Sequence, residues 1–245
     1  MRSAEGSAEG SAEGSAESSP GIRIQRRQLV IASEAAELSA ELVEPYQSVA
    51  LLVLAHGAGA GYRHRNMRAI SEALAQAGVA SLRFNFPFTQ QGRRRVDSQA
   101  TATRAIADAW KVASELRLAL PMFLGGHSFG GRMASHAVLE HPIHPRGLVF
   151  CAYALHPAGK PGRNRAAHLA EITCPMLFVS GTRDALASPE VLRDSVSCLG
   201  DRGSLHWLED ADHGYRTRQS VRRDTRSVFQ ELAEEVRRFV LAQCV

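Results

Sequence analysis

The stretch "PMFLGGHSFGGRMAS", Pro121 to Ser135, sets a short apolar run, a glycine-rich turn and the start of a helical pattern in immediate succession. Gly126-His127-Ser128-Phe129-Gly130 fits G-x-S-x-G, and three small residues are a weak filter on their own. Context decides the reading. Met122 to Leu124 predicts a strand and the spacing of Met133 and Val138 predicts a helix, so Ser128 falls on a sharp strand-to-helix turn. Such a turn forces the serine into a strained backbone conformation, and glycines at 126 and 130 leave room where strand and helix nearly touch. The competing reading is a glycine-rich turn whose serine only caps the helix.

Outward from this turn, short apolar runs alternate with helical patterns. Val49 to Ala55, "VALLVLA", is continuously apolar, as expected of a strand buried on both faces of a parallel sheet. A helix follows with Met67, Ile70 and Leu74 on one face and Gly78 as its stop, then a strand over Val79 to Phe86 and a helix over Ala100 to Leu116. Beyond the serine come "GLVFCAY" (147–153), "PMLFVSG" (175–181), a helix near Pro189 to Cys198, "SLHWLE" (204–209) and an amphipathic helix carrying Phe229, Leu232, Val236 and Phe239. Two antiparallel strands, Ile22 to Ile31 and Leu38 to Val43, precede all of this. The alternation predicts an α/β fold, a doubly wound, mostly parallel sheet of about eight strands with helices on both faces. In such sheets sites form at the carboxyl ends of the strands.

The 245 residues suit one domain over 21–245. Before it, "SAEGSAEGSAEGSAES" repeats small and acidic residues with no apolar face, so residues 1–20 are expected to be a disordered tail. That tail carries one arginine and four glutamates, which leaves the remainder more basic than the whole chain, at +7 against +4. The arginines are scattered without interleaved aromatics, so a solvated surface is expected rather than a nucleic-acid partner. No apolar run approaches the roughly 20 residues of a membrane helix, and no signal peptide is evident, so neither membrane association nor export is expected and a cytoplasmic location is the default expectation. The four cysteines, at 151, 174, 198 and 244, form no C-x-x-C pair, so no metal is expected and the thiols should be reduced and mostly buried.

A serine hydroxyl needs a base to take its proton and a third group to hold that base in the right tautomer. Asp184 follows the strand at 176–180 through "GTRD", and His213, in "LEDADHGY", follows the strand at 205–208. Both lie at carboxyl ends, in the order Ser, Asp, His. Among rival histidines, His127 adjoins the serine and is expected to point away from the base position, His56 precedes a glycine turn, and His136, His141 and His144 lie beyond the elbow. Asp210 and Asp212 share the histidine's own loop and are poorly placed to reach its far ring nitrogen; the alternative role for Asp184 is turn formation. "HGAGAG" (56–61) supplies a turn for one N–H donor to a developing oxyanion, placed at Ala58, with the Phe129 N–H as the other. The competing reading of this loop is a phosphate cradle, but the next strand ends "RFNFP", without an acidic ribose partner, and no cofactor is expected. Arg93 and Arg94, in "FTQQGRRRVDSQ" (88–99), are candidates to meet an anionic substrate, against the alternative of a solvated loop.

From Val49 to Val240 the chain resembles the small α/β-hydrolases related to the NSL-complex-subunit-three and testis-expressed-protein group, which are similar to dienelactone hydrolase. The resemblance is carried by "HGAGAG", "RFNFPF" followed by "GRR", "GGHSFGGRMAS", "SGTRDAL" and "WLEDADHGY". With the triad read from the residues, the leading expectation is a cofactor-free serine hydrolase acting on an ester or thioester of a small substrate, with Ser128 as nucleophile, His213 as base and Asp184 orienting it. The family usually carries a basic residue where His127 stands and Met where Phe129 stands, and both departures are expected to alter the pocket rim rather than the triad. Only 21 residues separate Tyr153 from Pro175, so no large lid domain is expected. Some relatives act as scaffolds, which leaves a non-catalytic binding protein and a peptidase as the competing functions.

Overall fold

Every second residue of the run at 50–55 goes to a different core, and this divides the molecule into layers. Leu51, Val53 and Ala55 join one apolar cluster, and Ala50, Leu52 and Leu54 join another on the opposite side. A strand alternates its side chains between faces, so a continuous apolar run requires cover on both. The structure, a computed structural model, describes residues 22–244 apart from 117, 161 and 219. The tail expected over residues 1–20 lies outside the described residues.

Eight strands form one sheet: β1 (Ile24–Ser33), β2 (Ala36–Pro45), β3 (Ala50–Ala55), β4 (Val79–Phe84), β5 (Met122–His127), β6 (Leu148–Cys151), β7 (Met176–Gly181) and β8 (Gly203–Leu208). Their spatial order is β1-β2-β4-β3-β5-β6-β7-β8. β1 pairs antiparallel with β2 and β2 with β4, and all later pairings are parallel. The helices are α1 (Arg65–Gln76), the short α2 (Pro87–Gln90), α3 (Gln99–Glu115), α4 (Phe129–Glu140), α5 (Pro189–Ser197) and α6 (Val228–Ala242). Met67, Ile70 and Leu74 of α1 and Leu232 and Val236 of α6 close one face of the sheet. Ile106 of α3, Met133 of α4 and Leu192 of α5 close the other.

The expected mostly parallel, doubly wound sheet is therefore observed, and no lid domain is present among the described residues. The segment between β6 and β7 holds loops and one 3-10 stretch, Ala167–Glu171. Boundaries differ where side chains at a distance decide them. The β1–β2 hairpin turns at Glu34 and Ala35, which carry no glycine or asparagine to mark it, so both strands reach further toward the turn than expected. β4 stops at Phe84 rather than Phe86 because the Phe86 N–H donates to His56 Nε2 instead of to a neighbouring strand, and Pro87 then opens α2. The cysteines depart from expectation too. Only Cys151 is buried; Cys174 is partly exposed and Cys198 and Cys244 are exposed, since the latter two fall at the solvent-facing ends of α5 and α6. Among the described residues, no helix is long and apolar enough to cross a membrane.

Candidate active site

The turn between β5 and α4 is shaped by close backbone approach. A Cβ on Gly126 would lie 2.6 Å from the Ala55 carbonyl oxygen, and one on Gly130 would lie 2.4 Å from it, inside any real contact. Ser128, between them, has φ 55° and ψ −114°, a region that L-residues rarely occupy and that costs on the order of 1–3 kcal/mol. Its main-chain N–H is fixed by the Cys151 carbonyl at 2.9 Å. The result is a serine side chain held at the carboxyl edge of the sheet.

The structure brings Ser128, His213 and Asp184 together, although 85 and 29 residues separate the bonded pairs. His213 Nε2 is 2.8 Å from Ser128 Oγ, and His213 Nδ1 is 2.9 Å from each carboxylate oxygen of Asp184. The bond to Asp184 places the ring proton on Nδ1 and leaves the Nε2 lone pair to accept the serine proton. Asp184 is buried, and its Oδ1 also accepts the Leu186 N–H at 2.8 Å.

The turn bearing Asp184 and the loop bearing His213 are fastened to each other. Asp210, with φ 55°, accepts from Arg218 Nε at 3.0 Å and from the Arg218 main-chain N–H at 2.6 Å, while Arg183 Nε donates to the Asp210 carbonyl at 3.0 Å. The Asp210 N–H reaches back to Thr182 Oγ1 at 2.9 Å. Arg218 holds the Asp210 carboxyl down to about 2. Asp212 accepts the N–H groups of Gly214 and Arg216 at 2.8 and 2.9 Å, so both rival aspartates are engaged in shaping the loop. Tyr215 closes it from below, donating its buried hydroxyl to the Val179 carbonyl at 3.0 Å.

His127 departs from its expected place. Rather than pointing away, its ring stands 5.3 Å from the His213 ring, and its Nε2–H donates to the His213 carbonyl at 3.0 Å. It is a buried support of His213 and not part of a pocket rim. Burial, followed by the neighbouring His213, lowers its pKa to about 4, so the ring is neutral near pH 7. His56 plays a parallel role in the "HGAGAG" loop. The Phe86 N–H donates to its Nε2 at 3.0 Å, and its Nδ1–H donates to the Gly57 carbonyl at 2.8 Å, which ties the loop after β3 to the loop after β4. Burial lowers this imidazole to about 4 as well. Neither role was visible in the sequence, because the His213 carbonyl and the Phe86 N–H that define them lie in other loops.

Gly57 flanks the serine: a Cβ there would sit 3.5 Å from Ser128 Cβ. Ala58 follows it in an exposed turn, and Phe129 opens α4. Among the described residues, neither the Ala58 nor the Phe129 N–H donates to a protein acceptor, which leaves both available to a ligand. Phe129 packs edge-on against Phe86 at 5.4 Å and Phe88 at 6.3 Å, giving the serine an apolar wall. A cleft lined by Gly59, Gly61, Asn85 and Thr89 opens beside the same loop. Arg93 is engaged by Asp97 at 2.6 Å and Gln91 at 2.8 Å, while Arg94 is exposed in the same loop. Among the described residues, no three His, Cys, Asp or Glu side chains converge on a point where a metal ion would sit.

Residues 48–241 match the model of the alpha/beta hydrolase domain, and the chain belongs to that family. Solved structures share its fold at low identity. Dienelactone hydrolase from Anabaena variabilis is 18% identical with a TM-score of 0.70, the match covering 89% of this chain and 98% of that one. Est1E from Butyrivibrio proteoclasticus, with ferulic acid bound, is 18% identical with a TM-score of 0.69 over 88% of this chain and 99% of its own. A serine hydrolase without a lid from Xanthomonas campestris is 17% identical with a TM-score of 0.63, covering 92% and 96%.

Proposed function

We propose that this α/β-hydrolase cleaves an ester or thioester of a small acyl group through Ser128, His213 and Asp184. The observation that carries the reading is the unbroken chain of hydrogen bonds from Ser128 Oγ through His213 to a buried carboxylate. Ser128 Oγ attacks the acyl carbon as its proton passes to His213 Nε2, and the carbonyl oxygen becomes an oxyanion facing the Ala58 and Phe129 N–H groups. The imidazolium formed is stabilised by Asp184. Collapse of the intermediate breaks the bond to the alcohol or thiol, which leaves with the proton from His213. Water then attacks the acyl-serine with His213 again as base, releasing the acid and restoring the serine.

The absence of a lid domain between β6 and β7, the aromatic wall beside Ser128 and the open cleft next to the Ala58 loop support a small substrate reached from solvent. Within the family, we place the chain among the small hydrolases related to the NSL-complex-subunit-three and testis-expressed-protein group, on the motifs around His56, Ser128, Asp184 and His213.

A fluorophosphonate probe tests the reading, combined with hydrolysis of short p-nitrophenyl esters. Labelling is expected at Ser128 and nowhere else, and Ser128→Ala and His213→Ala are each expected to lower turnover by up to roughly 10⁶-fold, since triad members act as a unit. Folded protein that is unlabelled at Ser128, or variants that retain wild-type turnover, would overturn it.

A further inference from the structure

The face of the sheet that α1 covers is apolar over β3 and turns charged beyond it. Gln28, Glu41 and Arg83 stand opposite one another on β1, β2 and β4, so their side chains share one face. On β3 the residue opposite Arg83 is Leu54, which belongs to the apolar cluster under α1. Arg83 is only 3% exposed, and an arginine is almost never so buried unless it is paired. Its Nη2 donates to Glu41, and its Nη1 donates to the Tyr62 carbonyl at 2.8 Å. Gln28 Nε2 donates to the other Glu41 oxygen at 2.7 Å, and the Tyr62 hydroxyl donates to Gln28 Oε1 at 3.2 Å. A buried guanidinium is thereby fixed by partners from two strands and the loop before α1.

Above this row lies a cavity of about 390 Å³, with Arg83 in its floor and Arg26, Arg63, Arg68 and Glu72 in its walls. Arg68 and Glu72 sit one helical turn apart on α1, and Glu72 is taken by Arg26. Both carboxylates of the cavity therefore already have an arginine. Arg63 and Arg68 have none: among the described residues neither guanidinium makes an ion pair or donates a hydrogen bond, and Arg63 instead lies 5.2 Å over the Tyr62 ring. Both are exposed, so their forks are open to solvent at the rim while the Arg83 charge stays below. Four guanidiniums against two carboxylates leave two uncompensated positive charges in one concave space, and such a space focuses the field on an anion. Arginine's planar fork matches phosphate geometry, and a phosphate monoester carries about two negative charges near pH 7. A carboxylate would neutralise one fork and leave the other.

We propose that this cavity binds a phosphate group, with Arg63 and Arg68 donating to it above the buried charge of Arg83. Binding stands apart from the hydrolase reading, because none of these side chains belongs to the hydrogen-bonded chain from Ser128 to Asp184. Arg63 also lines the cleft beside the Ala58 loop, so the two cavities meet at one side chain. Two sources present the same chemistry: free inorganic phosphate, and a phosphate on the alcohol or thiol that leaves when the acyl group is transferred.

The site is tested by calorimetric titration and thermal melting of the full chain with inorganic phosphate, against chloride at matched ionic strength. Phosphate is expected to raise the melting temperature above the chloride control. Arg63→Gln and Arg68→Gln, both at exposed positions, are each expected to weaken phosphate binding by roughly tenfold or more, as for loss of a charge-assisted hydrogen bond. Arg94→Gln, in an exposed loop outside the cavity, is expected to leave it unchanged. Stabilisation no greater than that by chloride, binding retained in both cavity variants, or equal loss in all three variants overturns the site and leaves the hydrolase reading intact. The source is read from S-acetylpantetheine and its terminal phosphate ester, which differ by that one group. If Arg68→Gln lowers the ratio of kcat/KM for the phosphorylated thioester to that for the other by roughly tenfold, the substrate carries the phosphate. An unchanged ratio, with phosphate binding lost, assigns the site to the free ion. No turnover of either thioester, with phosphate binding that depends on Arg63 and Arg68, upholds the site and counts only against thioester hydrolysis.

Discussion

The two halves of the candidate site are held in place by different physics. At the nucleophile turn, position comes from backbone contact: Gly126 and Gly130 touch the Ala55 carbonyl, and Ser128 has only one backbone conformation left to adopt. Across the cleft, Asp184 and His213 sit on loops whose shape depends on side chains from elsewhere: Arg183, Arg218, Tyr215, His127 and Asn66, whose Nδ2 donates to the Gly214 carbonyl at 2.8 Å. The first half tolerates almost no change in volume and the second half tolerates change by degrees. Steric exclusion acts as a wall, whereas a network loses one bond at a time.

The largest effect is expected from adding volume to the turn. Gly130→Ala improves helix propensity by about 1 kcal/mol yet drives a methyl group into the β3 backbone, so a net loss of about 3 kcal/mol or more is expected. Melting should fall by roughly 10 °C, with turnover lost alongside it. A variant that melts with the wild type would show that the turn is not set by contact with β3.

A smaller and more selective effect is expected on the other side. Asp210→Asn keeps the shape and suits the positive φ, but removes the charge that gathers Arg218 and Arg183. Melting is expected to fall by only a few degrees, while kcat falls roughly tenfold to hundredfold through misplacement of His213 relative to Ser128. If kcat and melting temperature shift in the same proportion as for Gly130→Ala, the distinction between the two halves fails.

The mildest test uses pH. His127 and His56 titrate near 4 in the folded protein, against an ordinary value of 6.5, because burial disfavours their charged forms. Between those values the unfolded chain binds more protons, so stability is complete above about pH 6.5 and declines as pH falls toward 4. Asp210 acts in a separate window, since a carboxyl held at about 2 contributes above its ordinary value of 3.8 and is lost only below it. His127→Gln should therefore make the decline in melting temperature between pH 6.5 and 4 shallower without altering it below pH 3.8. Parallel wild-type and variant curves across the upper window would remove His127 as a contributor.

The layered fold and the serine turn were legible because their requirements are local. A run such as "VALLVLA" needs cover on both faces wherever it sits, and a serine flanked by Gly126 and Gly130 between a strand and a helix has few conformations to choose from. The candidates Asp184 and His213 could be placed at strand ends by counting elements, but nothing adjacent to them in the sequence sets their distance. That distance is set by β7 and β8 lying side by side, with Ser180 opposite Trp207 and Gly181 opposite Leu208, and by the Asp210 cluster that folds the two loops together. The same holds for His127, whose neighbours in the chain suggested the opposite direction for its ring. Periodicity and small residues record what a segment needs from its immediate surroundings. Which charges end up paired, and which stay without a partner, depends on contacts tens of residues apart and is fixed only when the sheet has formed.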